Sequence, residues 1–370
     1  MISIYSIFDR LNALSKMPLV LITLISSIGF AMLYSAADGS FSPWAYKQMI
    51  RFAVGFVIML AVACTDIRIW MSLSYPIYGL SLVLLIGVEM MGFIGMGAQR
   101  WIDLYVIQLQ PSEIMKIALI LALARYFHLT SLDDIFKFRN LLVPLVLIMV
   151  PTILVMRQPD LGTAMILMMS GAVLFFTTGV KLWKFLVAGG SVVAAIPLFW
   201  SMLHDYQRKR VLIFLNPESD PMKSGYHVTQ SKIALGSGGW LGQGFMQGTQ
   251  SHLSFLPEKQ TDFIFTMFSE EFGFIGGCGL VVLFIMLLSY GFRVALSSRM
   301  HYARLVALGI NSTFFLYAFI NMSMVMGMLP VVGVPLPLVS YGGTALLTLL
   351  MGQGLIFSAS LYNEARTGRF

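Results

Sequence analysis

Charged side chains are scarce in this 370-residue sequence. Asp, Glu, Lys and Arg make up 11% of it, hydrophobic residues make up 58%, and the mean hydropathy is +0.81. A soluble domain of this size has a far more charged surface, which excludes a soluble globular fold. The apolar runs are about 20 residues long, as in membrane-crossing helices, and not alternating ten-residue runs of a membrane β-barrel. The composition therefore predicts an all-α polytopic membrane protein.

Cysteine is nearly absent as well. The two cysteines, Cys64 and Cys278, lie inside apolar runs, which excludes a disulfide framework. The five histidines are scattered, and the sequence contains no metal-ligand spacing and no internal repeat. The net charge of +7 could indicate an anionic partner, but membrane topology accounts for most of it, and we predict no nucleic-acid partner.

The apolar runs divide the chain into ten predicted membrane spans. Their approximate ranges are 18–35, 47–65, 71–92, 111–128, 140–156, 162–179, 182–203, 262–291, 302–328 and 336–360. With the N-terminus in the cytoplasm, thirteen basic residues fall on the inside and four at the short outer loops and span ends. The positive-inside rule therefore predicts that both termini are cytoplasmic.

One long loop, residues 204–261, lies between the seventh and eighth predicted spans and is therefore predicted to be extracytoplasmic. A loop of this length is expected to be partly ordered and functional. Its glycine-rich centre, residues 236–244, lacks the Gly-Lys-Ser/Thr ending of a P-loop. Tight turns that hold Trp240 near the membrane interface are the better interpretation.

An acid and a base lie within the fourth predicted span. Glu113 and Lys116 are three residues apart, so they share a helix face and can form an ion pair. Pro111 suits the first turn of that helix. A pair at this depth is expected to point into the bundle. It would serve either as a structural clasp between helices or as a tuned acid or substrate contact.

Asp262 lies where the long loop enters the eighth predicted span, three residues after Lys259. A carboxylate at this depth costs several kcal/mol unless it is paired, hydrated or protonated. It could complement the dipole of the helix that follows, or it could be a reactive group. If the helix begins at residue 262, Thr266, Ser269 and Glu270 form a polar stripe on the same side. In a membrane, that stripe is expected to face a cavity or another helix.

Three further segments on the outer side carry polar residues. Arg100 and Trp101 lie in one outer turn, and Arg157 and Asp160 lie in another. Arg and Trp at this level are ordinary interface anchors, but Arg could also hold phosphate. The last span opens with Pro335-Leu-Pro-Leu-Val-Ser340-Tyr-Gly-Gly-Thr344, whose small residues permit close helix approach or a helix break that lines a cavity.

These segments together resemble the SEDS family (shape, elongation, division and sporulation proteins) over all ten spans. The shared motifs are Gly97-Ala-Gln-Arg-Trp101, Gln110-Pro-Ser-Glu-Ile-Met-Lys116, Arg157-Gln-Pro-Asp-Leu-Gly-Thr163, Leu256-Pro-Glu-Lys-Gln-Thr-Asp262-Phe-Ile-Phe265 and Pro335-Leu-Pro-Leu-Val-Ser-Tyr-Gly-Gly343. The resemblance implies one SEDS domain over residues 1–370, in the bacterial cytoplasmic (inner) membrane. It also implies a peptidoglycan glycosyltransferase acting in cell elongation, whose site faces the periplasm and polymerises lipid II. Implied partners are a class B penicillin-binding protein and other elongation-complex membrane proteins.

The resemblance also implies roles for individual residues. The family's essential aspartate corresponds to Asp262, which we interpret as the general base, and its intramembrane ion pair corresponds to Glu113 and Lys116. The candidates for binding substrate or diphosphate are Arg100, Trp101, Arg157, Asp160, Lys259, Gln260, Thr261, Glu270 and Ser340. No cofactor is firmly implied, although a divalent cation (Mg or Mn) could help to stabilise the leaving diphosphate.

Two other functions fit part of this pattern. Ten spans with an intramembrane ion pair would also suit a lipid II flippase. A scaffold for the penicillin-binding protein is the third interpretation, in which Asp262 would be structural. The polar residues concentrate on the outer side rather than at the midplane and no inverted repeat is evident, which favours the enzyme.

Overall fold

The protein is described here by a computed structural model. The structure describes residues 7–91, 93–95, 98–103, 108–131, 137–194, 224–253 and 258–367, together with residues 208, 212 and 214. Most of the predicted loop before residue 224 therefore lies outside the described residues, as do residues 254–257, which include the first two residues of the motif that contains Asp262.

Helices make up most of the described chain. In chain order they are α1 (Ile7–Asn12), α2 (Lys16–Ala36), α3 (Ala45–Cys64), α4 (Ile67–Met91), α5 (Pro111–Leu129), α6 (Phe138–Arg157), α7 (Leu161–Thr177), α8 (Leu182–Ala194), α9 (Ser224–Ser237), α10 (Thr249–His252), α11 (Ile264–Ser297), α12 (His301–Val325) and α13 (Thr344–Thr367). Each of the ten predicted spans overlaps one of these helices, and residues 195–203 of the seventh span lie outside the described residues. Seven described helices are long and apolar enough to cross a membrane, so the polytopic class is confirmed and the count of ten stays a prediction.

Two predicted span boundaries were wrong. The eighth span was predicted from residue 262, but α11 begins at Ile264, so Asp262 lies in the turn before the helix. The last span was predicted from residue 336, but α13 begins at Thr344. Residues 330–343 form an irregular loop instead, because Pro335 and Pro337 lack backbone N–H groups and disfavour helix in the residues before them.

The structure also contains a short antiparallel sheet, which the all-α prediction did not include. Its strands are β1 (Phe93–Gly95), β2 (Ala98–Asp103) and β3 (Gln108–Leu109), in the order β1-β2-β3. The sheet fills the connection between α4 and α5, and Trp101 pairs with Phe93 in it. The hydropathy pattern does not reveal it because the strands are only two to six residues long.

The centre of the bundle is formed by α5 and α12. Nearly every side chain of α5 from Pro111 to Ala124 is buried, which is expected of a helix enclosed on all sides. Most of α12 is buried as well. These two central helices carry the ion pair and much of its surroundings.

The glycine-rich segment packs against a break in α11. Gly273 has φ 65°, a conformation that glycine adopts readily, and it separates two helical parts. Phe274 N donates to the carbonyl of Gly239 (2.9 Å), and Gln243 N donates to that of Glu270 (3.0 Å). Trp240 remains 72% exposed at the tip of this turn. The predicted tight turns are thus present in the structure, and the place of Trp240 at the membrane interface stays a prediction.

Candidate active site

The predicted ion pair forms, and it lies at the junction of three helices. Lys116 Nζ is 2.7 Å from Glu113 Oε1, and both side chains are buried. From α12, the Tyr317 hydroxyl lies 3.0 and 2.9 Å from the two Glu113 oxygens. From α13, Thr348 Oγ1 lies 3.2 Å from Oε2. Glu113 with Lys116, Tyr317 and Thr348, hereafter the ion-pair clasp, therefore joins α5, α12 and α13.

A small cavity adjoins the ion-pair clasp. Its volume is about 20 Å³, and its lining includes Glu113, Lys116, Thr313 and Gln353. That volume has room for a single water and not for a sugar. The sequence left two interpretations of this pair open, a structural clasp or a tuned acid or substrate contact. The geometry supports the structural clasp.

Asp262 lies in a turn over residues 258–263 that is held from below by α12. Asn321 Nδ2 donates to the Asp262 carbonyl (2.9 Å) and to the Val334 carbonyl (2.7 Å). The Asp262 side chain is partly exposed, and Oδ2 lies 3.5 Å from the position that a Cβ on Gly333 would occupy. The carboxylate thus sits beside the loop between α12 and α13, at the surface of the bundle.

The same turn is fastened to the loop before α13. Ser340 Oγ donates to the Thr261 carbonyl (2.6 Å) and accepts from Leu336 N (2.8 Å). Tyr341 N donates to the Gln260 carbonyl (2.8 Å). Thr261 and Gln260 thus contribute backbone carbonyls here, and Ser340, which is buried, acts as a structural bridge.

A family model for cell cycle proteins, covering FtsW, RodA and SpoVE, matches residues 9–365. The chain belongs to the FtsW/RodA/SpoVE family. It is 42% identical over 359 residues to the Escherichia coli K12 protein named peptidoglycan glycosyltransferase MrdB, with 96% of each chain covered. The resemblance inferred from the motifs is confirmed.

Two solved structures share the fold. A chain from a peptidoglycan synthase complex, described as coordinating polymerization and crosslinking, matches with a TM-score of 0.81 at 31% identity, over 96% of this chain and 98% of that one. The crystal structure of the Thermus thermophilus rod shape determining protein RodA matches with a TM-score of 0.71 at 27% identity, over 94% and 97%.

In this FtsW/RodA/SpoVE chain, Glu270 has a structural role that the sequence did not reveal. Its carboxylate accepts from Gln250 N (2.8 Å) and from Ser251 N and Oγ (3.2 and 2.5 Å) at the start of α10. The Glu270 side chain is fully buried. The Thr266 hydroxyl lies 2.7 Å from the Ser231 hydroxyl of α9, and the two form a hydrogen bond. The polar stripe is thus a helix contact, and these bonds give Glu270 the role of a cap for α10.

Lys259 anchors the turn from the other side. Its Nζ donates to the Ser251 carbonyl (3.0 Å) and lies 3.9 Å from Asp38 Oδ1. His252 Nδ1 lies 2.6 Å from the same Asp38 oxygen, and this hydrogen bond lowers the pKa of Asp38 below its usual value. Asp38 follows α2, so Lys259 links the turn that bears Asp262 to the connection between α2 and α3.

The two outer turns have separate contacts. Arg100 donates from Nε to the Gln158 carbonyl (3.1 Å) and also binds the Pro159 carbonyl. Asp160 caps α7 by accepting from Thr163 N (3.1 Å). Arg157 is exposed and lies 3.8 Å from Glu89. Asp160 Oδ2 also accepts from Gln110 Nε2 (3.2 Å), just before α5. Arg100 and Asp160 thus have structural contacts, and Arg157 is the one of these three residues whose charged group is largely exposed.

Four supporting residues were missed by sequence reasoning: Gln48, Tyr317, Asn321 and Thr348. Gln48 Nε2 donates to the Ser340 carbonyl (2.9 Å), and its Oε1 accepts from Gly342 N (3.3 Å). Each lies inside an apolar span, which was an available signal, because polar side chains at membrane depth normally bond to another helix.

The divalent cation stays a prediction. Among the described residues, no group of three or more His, Cys, Asp or Glu side chains could hold a metal ion.

Proposed function

We propose that this protein polymerises lipid II and that the turn bearing Asp262 is its active site. The observation that carries the proposal is the placement of the partly exposed Asp262 carboxylate on a turn fixed by Asn321, Ser340 and Tyr341. Peptidoglycan glycosyl transfer is the activity in the printed name of the MrdB relative, which matches 96% of this chain. A role in cell elongation fits that relative.

Glycosyl transfer with inversion requires one general base and a single displacement. Asp262 accepts the proton of the GlcNAc 4-hydroxyl on the acceptor, and that oxygen attacks the anomeric carbon of the donor MurNAc. The bond from that carbon to the diphosphate breaks, and undecaprenyl diphosphate leaves. An α-linked donor that yields a β-linked product is inverted, so no glycosyl-enzyme intermediate is needed.

The other buried acids are poorer candidates for the base. Glu113 is bonded to the rest of the ion-pair clasp, and Glu270 accepts three hydrogen bonds. Glu271 accepts from Ser35 Oγ at 2.5 Å and is buried within α11. A general base must reach the substrate hydroxyl directly or through one water, and partial exposure gives Asp262 that access.

The location and partner follow as proposals. The chain is a multi-pass membrane protein, and we place Asp262 on the periplasmic face of the inner membrane with both termini in the cytoplasm, from the distribution of basic residues. A class B penicillin-binding protein is the proposed partner. The match to a chain of a complex described as coordinating polymerization and crosslinking supports this assignment.

The test is polymerisation of fluorescent lipid II by purified protein in detergent. Asp262→Asn keeps the shape of the side chain and removes its basicity, so we expect a rate lower by about 10²–10⁴-fold. Asp262→Glu should also be slow, because an error of about 1 Å in position can cost about 100-fold. The matched control is Asp66→Asn, which alters an acid paired with Arg68 between α3 and α4.

The outcomes separate the candidate functions. Detergent leaves no membrane with two sides, so a flippase would give no glycan even with the wild-type chain. A scaffold would likewise be inactive without its partner. Glycan synthesis by Asp262→Asn at the wild-type rate would remove Asp262 from catalysis.

A further inference from the structure

Arg51 is a cation at membrane depth with no acid beside it. It lies six residues after the start of α3, about 9 Å along the helix axis. By contrast, Lys116 pairs with Glu113, and Arg68 pairs with Asp66. Arg51 forms no salt bridge with a described residue, and its Nη1 is shielded from solvent without a hydrogen-bond partner. An ionisable residue at this depth is expensive and normally has a function.

The guanidinium is nevertheless held in place. Its Cζ lies 4.7 Å from the ring centroid of Tyr341, a cation–π contact that positions the group without neutralising it. A Cβ on Gly343 would lie only 3.5 Å from Cζ and 3.8 Å from Nη2. Arg51 therefore lies against the backbone that leads into α13.

The first residue of α13 supplies a second unpartnered group. Thr344 is only 2% exposed, and its Oγ1 has no hydrogen-bond partner among the described residues. The first amides of a helix lack intrahelical acceptors, and the helix dipole favours an anion there. Gly343, against which Arg51 lies, directly precedes Thr344, so a cation lies beside the N-terminus of a helix whose first residue carries an unpartnered hydroxyl. A cation, a hydroxyl and a helix N-terminus are groups that bind phosphate.

This place adjoins the turn of Asp262. Tyr341, which carries the Arg51 guanidinium on its ring, donates its backbone N–H to Gln260 in that turn. Gln48, one turn before Arg51 on α3, binds the carbonyl of Ser340. A lipid whose phosphate occupied this place would have its head group beside the turn of Asp262.

We propose that Arg51, Thr344 and the N-terminus of α13 form a binding site for the diphosphate of a polyprenyl-linked substrate or product. The identification of the lipid as polyprenyl-linked rests on the proposed function. The chemistry it names is a phosphate ester at the membrane interface, so an anionic phospholipid is the other source that a test must distinguish. The proposal predicts that the loss of Arg51 weakens binding of the diphosphate and leaves binding of the hydrocarbon chain unchanged.

The experiment measures lipid binding without turnover. Purified wild-type protein, Arg51→Gln and Lys47→Gln are titrated with undecaprenyl diphosphate, undecaprenol and phosphatidylglycerol, and the bound fraction is read by native mass spectrometry. Lys47 is the matched control, because it is an exposed cation on the same helix. We expect Arg51→Gln to bind undecaprenyl diphosphate at least about tenfold more weakly. Binding of undecaprenol, and all binding by Lys47→Gln, should not change.

A second variant tests the proposal if Arg51→Gln does not fold. Thr344→Val keeps the shape of the side chain and removes the hydroxyl, so it should weaken diphosphate binding by about 2–10-fold. Diphosphate binding at wild-type affinity by Arg51→Gln or, if that variant does not fold, by Thr344→Val would overturn the proposal. An equal loss of undecaprenol would also overturn it, because packing would then be the cause. Phosphatidylglycerol binding that falls as much as diphosphate binding would overturn the assignment to a polyprenyl lipid.

The proposed function can fail separately. Asp262→Asn should bind undecaprenyl diphosphate as the wild type does, because product binding needs no base. If Arg51→Gln binds normally while Asp262→Asn is inactive, only the anion site is wrong. If wild-type protein neither binds the diphosphate nor makes glycan, the proposed function is wrong.

Discussion

The ion-pair clasp gives a quantitative prediction for stability. Glu113 and Lys116 are 5% and 3% exposed, so removing either one leaves a charge that water cannot reach. Breaking a buried pair by removing one partner costs about 3–5 kcal/mol. We expect Lys116→Ala to lower the free energy of unfolding by about that amount. Glu113→Ala should do the same, because the ammonium of Lys116 would keep only the Tyr317 ring at 4.4 Å.

The double variant Glu113→Ala/Lys116→Ala should be more stable than either single variant, because it leaves no uncompensated charge. The remaining cost is a cavity between α5, α12 and α13. The free energy of unfolding can be measured for all four proteins by titrating detergent micelles with SDS. Residues that interact give a non-additive double-mutant cycle.

Two controls delimit the effect. Tyr317→Phe removes one hydroxyl donor to Glu113 and keeps the ring, so it should cost about 1.5–3 kcal/mol. Arg157→Ala breaks an exposed ion pair, 3.8 Å from Glu89, and should cost about 0–1 kcal/mol. A double variant that is as unstable as the sum of the singles would refute the clasp. A Lys116→Ala variant no less stable than Arg157→Ala would refute it as well.

The remaining predictions concern orientation and pH. In a cysteine-free background, Thr249→Cys should react with a membrane-impermeant maleimide added outside spheroplasts and Arg299→Cys should not; the reverse pattern would overturn the orientation. The pKa of Asp38 is lowered by its hydrogen bond to His252, with Lys259 nearby, so the pair stabilises the protein above the unfolded value of about 3.9, and this contribution is lost as the pH falls through the folded value. Asp38→Asn should therefore destabilise the protein to SDS at pH 7, and this effect should shrink as the pH is lowered below about 3.9; an effect that stays constant as the pH is lowered would contradict the prediction.

Local geometry explains which parts of the site could be predicted from the sequence. The Glu113–Lys116 pair follows from helix spacing alone, because both residues lie on one helix. Tyr317 and Thr348 could not be assigned to it, because they come from distant segments whose register is fixed only by packing. Glu270 was interpreted as a substrate candidate for the same reason, since its partners, Gln250 and Ser251, belong to a loop that returns to α11.

The same limit applies to the segment before α13. Its small residues were interpreted as permitting a close helix approach or a helix break, and the structure shows an irregular loop before α13. The pattern could not show that Ser340 and Tyr341 bind the turn of Asp262, because hydrogen bonds to a backbone carbonyl leave no signature in the sequence of the acceptor. Nor could it show that Arg51 lies on Tyr341.

One helix joins the ion-pair clasp to the turn of Asp262. Tyr317, which binds Glu113, and Asn321, which binds the Asp262 carbonyl, are four residues apart on α12, so they lie on one face about 6 Å apart along the axis. A buried ion pair adds little net stability over apolar packing of the same volume. We infer that its hydrogen bonds to Tyr317 and Thr348 favour one register of the helices around it. Fixing the register of α12 also fixes Asn321 beneath Asp262. This gives a physical reason for an expensive pair at membrane depth in a protein whose reaction needs one carboxylate held in position.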